Sequence, residues 1–136
     1  MTTEWITDTG DDSYVCRIKD ITLTPAFPEP GKELRLDLTA ELAEQVDLTQ
    51  VECHFQVKLG LITPLRATYT LPDLLAAWGA ELSGDPKPPA GEWKQSWIFK
   101  LPREIPKGDF RLYLTSYTNT EMDFLDLNAR FDMRKQ

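Results

Sequence analysis

Histidine, cysteine and glycine are all scarce in this 136-residue chain, and the shortages narrow its chemistry. There is one histidine, His54, and there are two cysteines, Cys16 and Cys53, too few for a zinc ligand set. Cys53 and His54 are neighbours on an alternating stretch, so their side chains leave opposite faces of one strand. The seven glycines are scattered at turn-like places, and none builds a loop that could cradle a phosphate. No Ser-His-Asp or Cys-His arrangement can be read, and no apolar run approaches the length of a transmembrane helix. Positive charge is also in deficit: 15 Lys and Arg against 22 Asp and Glu give −7. That balance argues against nucleic acid, whose phosphates need clustered basic side chains, and against purely electrostatic docking on anionic membranes. The N-terminal dozen residues show no basic segment followed by an apolar one, so a cytoplasmic protein is expected.

What the chain has is alternation. Over 50–69, Val51, Cys53, Phe55, Val57 and Leu59 alternate with Glu52, His54, Gln56 and Lys58. Successive strand side chains point to opposite faces, so this puts every apolar group on one side. A second strand follows a joint at 58–60, with Leu61, Leu65, Ala67 and Tyr69 as its apolar series; Pro64 cannot donate to a ladder and marks an edge or a bulge. Upstream, Cys16 and Ile18 and then, after a slip in phase, Ile21 and Leu23 make a strand with a bulge. Leu34, Leu36, Leu38, Ala40 and Leu42 form the clearest half-buried strand. Downstream come three more series: Trp93, Gln95, Trp97, Phe99 and Leu101; Phe110, Leu112, Leu114 and Ser116; and Leu125, Leu127, Ala129 and Phe131. Turn segments at 25–31, 83–91 and 102–108 are rich in proline and glycine. Only 71–79 has helical spacing, with Pro72 suited to a first turn and Gly79 to an end.

About seven strands between turn signals predict an all-β fold, an immunoglobulin-like antiparallel sandwich forming a single domain over 1–136 with flexible residues 1–12. Both cysteines fall on inward positions and read as small buried hydrophobes. The carboxylates lie on connectors and outer faces, where solvation is the default; Asp126 sits within an apolar strand but in the outward phase.

Large apolar groups dominate the inward series: Leu36, Leu38, Phe55, Val57, Trp97, Phe99, Leu112, Leu114, Leu127 and Phe131. Alternation leaves two readings open. Either the core fills itself, as sheets about 10 Å apart usually do, or the sheets splay and these side chains line a pocket.

Three stretches resemble the ML domain, the MD-2-related lipid-recognition family, in particular its fungal phosphatidylglycerol/phosphatidylinositol transfer branch. Residues 18–36, IKDITLTPAFPEPGKELRL, are similar to that family's opening strand, "LSPxPPxPGxxL" turn and second strand. Residues 57–73, VKLGLITPLRATYTLPD, resemble "VKLGxIxLL…DLC". Residues 91–131 carry LPREIPKGDFRLYLTSYT and a following LDLNA, like "LPxxIPxGxYxVxxxxYT" and its last strand. The resemblance implies an apolar cavity between the two sheets, a lipid or other hydrophobic small molecule as its occupant, the ten large residues named above as its walls, transient membrane contact, and no cofactor or metal. Secreted members carry paired cysteines; the matching places here hold Pro72, non-cysteine residues of 83–91, and Asp126. A reducing compartment would make such bridges useless. The alternative is an enzyme on the same cavity, a cofactor-free cyclase or isomerase of a polyketide- or terpenoid-type substrate, with Asp37, Tyr69, Tyr117 and Asp126 as candidate polar groups. A third reading is an interaction domain with a filled core.

Overall fold

A computed structural model of the chain describes residues 6–11, 13–25, 29–82 and 84–132. Trp5, Asp12 and the middle of the 25–31 turn therefore lie outside the described residues. Among the described residues eight strands form two antiparallel sheets. In chain order they are β1 (Ile6–Asp8), β2 (Cys16–Thr24), β3 (Glu33–Leu42), β4 (Glu52–Leu59), β5 (Ile62–Thr70), β6 (Gly91–Lys100), β7 (Asp109–Tyr117) and β8 (Asp123–Asp132). The larger sheet runs β1-β8-β7-β4-β5 and the smaller one β2-β3-β6. One helix, α1 (Leu71–Ala77), follows β5, and a 3₁₀ turn spans Leu48–Gln50. Among the described residues no helix is long and apolar enough to cross a membrane.

The alternating stretches become strands as expected, and the corrections are local. The eighth strand is β1: Ile6, Thr7 and Asp8 pair with Ala129, Asn128 and Leu127, so 6–8 are not frayed. Ile6 is the reason, because it buries its side chain under β8. The joint between β4 and β5 falls at Gly60-Leu61, two residues late; Gly60 takes φ +58 there, and Leu61 stands wholly exposed at the tip rather than starting the inward series. The 43–49 connector is less polar than its composition, since Val46 and Leu48 are buried.

Two expected irregularities are present. The register of β2 on β3 shifts between Ile18 and Asp20, which is the phase slip of that strand. Pro64 lies on β5, the edge of the larger sheet, where its missing N–H costs no ladder bond.

Helix α1 closes one open side of the sandwich. Thr70 caps it by accepting from the Asp73 amide at 3.3 Å, Pro72 sits in its first turn, and Gly79 at φ +80 ends it. Leu71 donates its amide to Val51 O at 2.9 Å, and Lys100 donates its own to Trp78 O at 2.9 Å. The helix thus ties the β5 edge to the β6 edge. On the other side, Val15 N bonds Asp123 O at 2.9 Å and Tyr14 Oη bonds Asp126 Oδ2 at 2.9 Å, joining β2 to β8.

Candidate functional site

Strand position explains which inward residues should be fully buried, and several are not. Leu112 and Leu114 sit on β7, with β8 on one side and β4 on the other. Leu36, Phe55, Leu127 and Ala129 also sit on strands flanked on both sides. All six face the opposite sheet, yet each is only half-buried. Interior residues of a close-packed sandwich touch neighbours on every side. Here they face empty space.

That space is a cavity of about 410 Å³ between the sheets. Its walls come from both sheets and from α1 with its C-cap: Leu71, Leu74 and Leu75 of the helix and Trp78 just after it. The two core clusters lie around it: the main one takes in both sheets and α1, and a small one at the β4–β5 turn end holds Val57 and Phe110. Trp93 and Phe124 pack edge to face at 5.9 Å toward the far end, while Phe110 and Phe131 stack at 5.4 Å toward the near end. The wall residues that are also exposed are Pro102, Glu104 and Pro106, all in the loop between β6 and β7, so the cavity reaches the surface there. Gly108, at φ +154, closes that loop; a Cβ on it would stand 2.5 Å from Leu59 Cδ1, the movable end of that side chain.

All ten residues named from the apolar alternation (Leu36, Leu38, Phe55, Val57, Trp97, Phe99, Leu112, Leu114, Leu127 and Phe131) lie on the cavity wall. Others were missed as wall residues. Those of α1 had a signal in their helical spacing. Phe124 had none, because strict alternation turns it outward once Leu125 faces in. The structure buries both, at 1% and 6% exposure. A register shift in the β7–β8 pairing allows this. Ser116 Oγ donates to Leu125 O at 2.7 Å and accepts from Leu125 N at 3.1 Å, standing in for a ladder bond.

The four polar candidates do not converge, and none lines the cavity. Asp37 is on the outer face of the smaller sheet, where Ser96 Oγ and Arg35 Nε donate to its carboxylate and hold its pKa below the usual value. Tyr69 packs against the main core from β5 without reaching the cavity. Tyr117 meets the ring of His54 edge-on at 5.7 Å on the outer face of the larger sheet. Asp126 accepts from Tyr14, whose hydroxyl that bond pushes up to about 12. The side chains of the wall that carry polar atoms within hydrogen-bonding chemistry are few: Ser116 is engaged with β8, the Trp97 indole donates to Gln95 at 3.0 Å, the Trp93 indole N–H is buried without a partner, Trp78 carries a further indole, and Glu104 stands at the rim. Cys53 is on the wall too, but burial pushes its thiol up to about 12, which keeps it protonated and unreactive. Among the described residues no group of three or more His, Cys, Asp or Glu could hold a metal ion.

No family model matches the chain. A phosphatidylglycerol/phosphatidylinositol transfer protein of Cryptococcus neoformans var. neoformans serotype D is 27% identical over 129 residues, covering 95% of this chain and 70% of that protein. A protein of the same name from Mycosarcoma maydis is 30% identical over 130 residues, 93% of this chain and 64% of its own length. Among solved structures, a Niemann-Pick type C2 protein from Japanese carpenter ant superposes with a TM-score of 0.61 over 92% of this chain and 96% of that one; at 14% identity this shows a shared fold. The chain is thus similar along almost its whole length to fungal phosphatidylglycerol/phosphatidylinositol transfer proteins, and it shares the sandwich fold of the Niemann-Pick type C2 protein.

Proposed function

We propose that the protein holds one lipid molecule between its sheets and passes it between membranes. The observation that carries this is the exposure of interior leucines on β7 and β8 to an apolar cavity that opens at the β6–β7 loop. A guest of sixteen carbons hides about 400 Å² of apolar surface, worth roughly 10 kcal/mol before ordering costs. The names of the relatives support a lipid cargo. The enzyme reading has no comparable support, because its candidate polar groups lie away from the cavity.

Transient membrane contact fits the same end of the molecule. Leu61 and Ile62, both exposed, form the tip of the β4–β5 hairpin, and Gly60 N bonds Asp109 O at 3.2 Å beside the loop that opens the cavity. With a net charge of −7, apolar insertion rather than charge would supply the attraction. We also propose a cytoplasmic location, which the two buried free thiols support, since they gain nothing from an oxidising compartment.

Native mass spectrometry of the protein purified from cells tests the cargo. One co-purifying lipid per chain, removed by solvent extraction and restored by vesicles, is expected. A mass equal to the bare chain before and after incubation with vesicles would refute the reading.

A further inference from the structure

We infer that the cargo is a single-tailed amphiphile, with one chain of about sixteen carbons inside and its head at the β6–β7 loop; this rests on the lipid-holding reading above. The argument begins with volume. A hydrocarbon-lined cavity of about 150 Å³ takes one benzene, six carbons, so the scale is roughly 25 Å³ per carbon. On that scale the cavity of about 410 Å³ takes one long acyl or prenyl chain. A phosphatidyl lipid with two such chains would need about twice the space.

The surroundings leave the second tail no shelter. Helix α1 seals the side between β5 and β6 through the Lys100–Trp78 bond. The bonds of Val15 to Asp123 and of Tyr14 to Asp126 hold the other side together. At the opening end, Leu61 and Ile62 are the large apolar side chains exposed among the described residues, two groups against a whole chain. The loop at the opening carries Arg103, Glu104 and Lys107, charges of both signs that can meet a polar head, beside the exposed Pro102 and Pro106 of the rim. The tail therefore enters first. Toward the far end it meets Trp93 and Phe124, where no charged side chain lines the cavity.

The test compares lipids with one head and different tails. The full chain is mixed with lysophosphatidylglycerol or with phosphatidylglycerol of the same acyl type, and complexes are counted by native mass spectrometry while tryptophan emission follows binding. A 1:1 complex with the single-tailed lipid, at least a hundredfold tighter than with the two-tailed one, is expected. Across a series of monoacyl chains, affinity should rise about fourfold per added methylene and level off near sixteen carbons. A two-tailed lipid or a sterol bound as tightly as the monoacyl lipid, or an affinity still climbing at twenty carbons, would overturn the inference while leaving a lipid carrier standing. If no lipid of either kind binds, the lipid-holding reading itself falls.

Discussion

Replacing Leu114 by tryptophan separates a hollow sandwich from a filled one. Leu114 lies near the centre of the larger sheet, opposite Phe55 on β4 and Leu127 on β8, and all three line the cavity. Tryptophan adds six heavy atoms, about 150 Å³ on the benzene scale. Refilling that much void at roughly 24 cal/mol per Å³ returns up to about 3.6 kcal/mol. Strain and imperfect fit take back about 1–3 kcal/mol. The ligand-free Leu114→Trp protein should therefore melt at or above the parent, by about 3 °C per kcal/mol of net gain. In a filled core the same change overpacks and lowers stability by about 1–3 kcal/mol. Binding should move the other way. Six carbons of guest space are lost at about 0.8 kcal/mol each, near 5 kcal/mol in all, or several thousandfold in affinity. Circular-dichroism melts of delipidated protein and displacement of a fluorescent fatty acid read the two effects. A variant that melts well below the parent and still binds the probe normally would refute the reasoning.

Other outcomes follow from particular contacts. Arg130 donates to Asp109 through Nε at 3.3 Å and Nη2 at 3.0 Å, and this pair holds the Asp109 carboxyl below its ordinary 3.8. A depressed folded pKa stabilises above the unfolded value and is lost as pH falls through the folded one. Asp109→Asn should thus lower the melting temperature at pH 7, and the gap should close as pH drops below about 3.8. Leu61→Ser with Ile62→Ser should change stability by less than about 0.5 kcal/mol, yet slow lipid exchange with vesicles in a stopped-flow transfer assay. Gly108→Ala puts a side chain at φ +154 and displaces the end of Leu59, and should cost about 1–3 kcal/mol in a urea melt. Cys16 and Cys53, each with its thiol pushed up to about 12 by burial, should resist iodoacetamide at pH 8 until the protein unfolds, as mass spectrometry would show.

Period-two alternation made most of the fold legible, because a strand with one buried face leaves that pattern and little else does. It placed Leu112 and Leu114 inward on β7 and Trp97 and Phe99 inward on β6 without any knowledge of pairing. It could not place Phe124, where the Ser116 hydroxyl replaces a backbone rung and lets two successive residues turn in. Nor could it find β1, three residues long and too short to show a period. The hollow itself was not legible from alternation, since the same leucines would fill a core if the sheets stood closer; only the family resemblance tilted that choice. Asp126 stands out in the sequence as a carboxylate within an apolar strand, but it points outward and accepts from Tyr14, while Tyr117 meets the His54 ring edge-on on the outer face.

An empty cavity of about 410 Å³ costs the fold something on the order of 10 kcal/mol if it is weighed like the voids left by core truncations, at roughly 24 cal/mol per Å³. That is comparable with the whole stability of a small domain. A sixteen-carbon guest returns about the same amount through burial of its own apolar surface. The balance explains the distribution of tight contacts: the outer sides are tied by α1, by Tyr14 to Asp126 and by Arg130 to Asp109, while the middle is left open. It also fixes the direction of the coupling. Because the guest binds only the folded chain, each tenfold excess of lipid over its dissociation constant should add about 1.4 kcal/mol to unfolding. A melting temperature that did not move with lipid concentration would mean that the space between the sheets is not where the lipid goes.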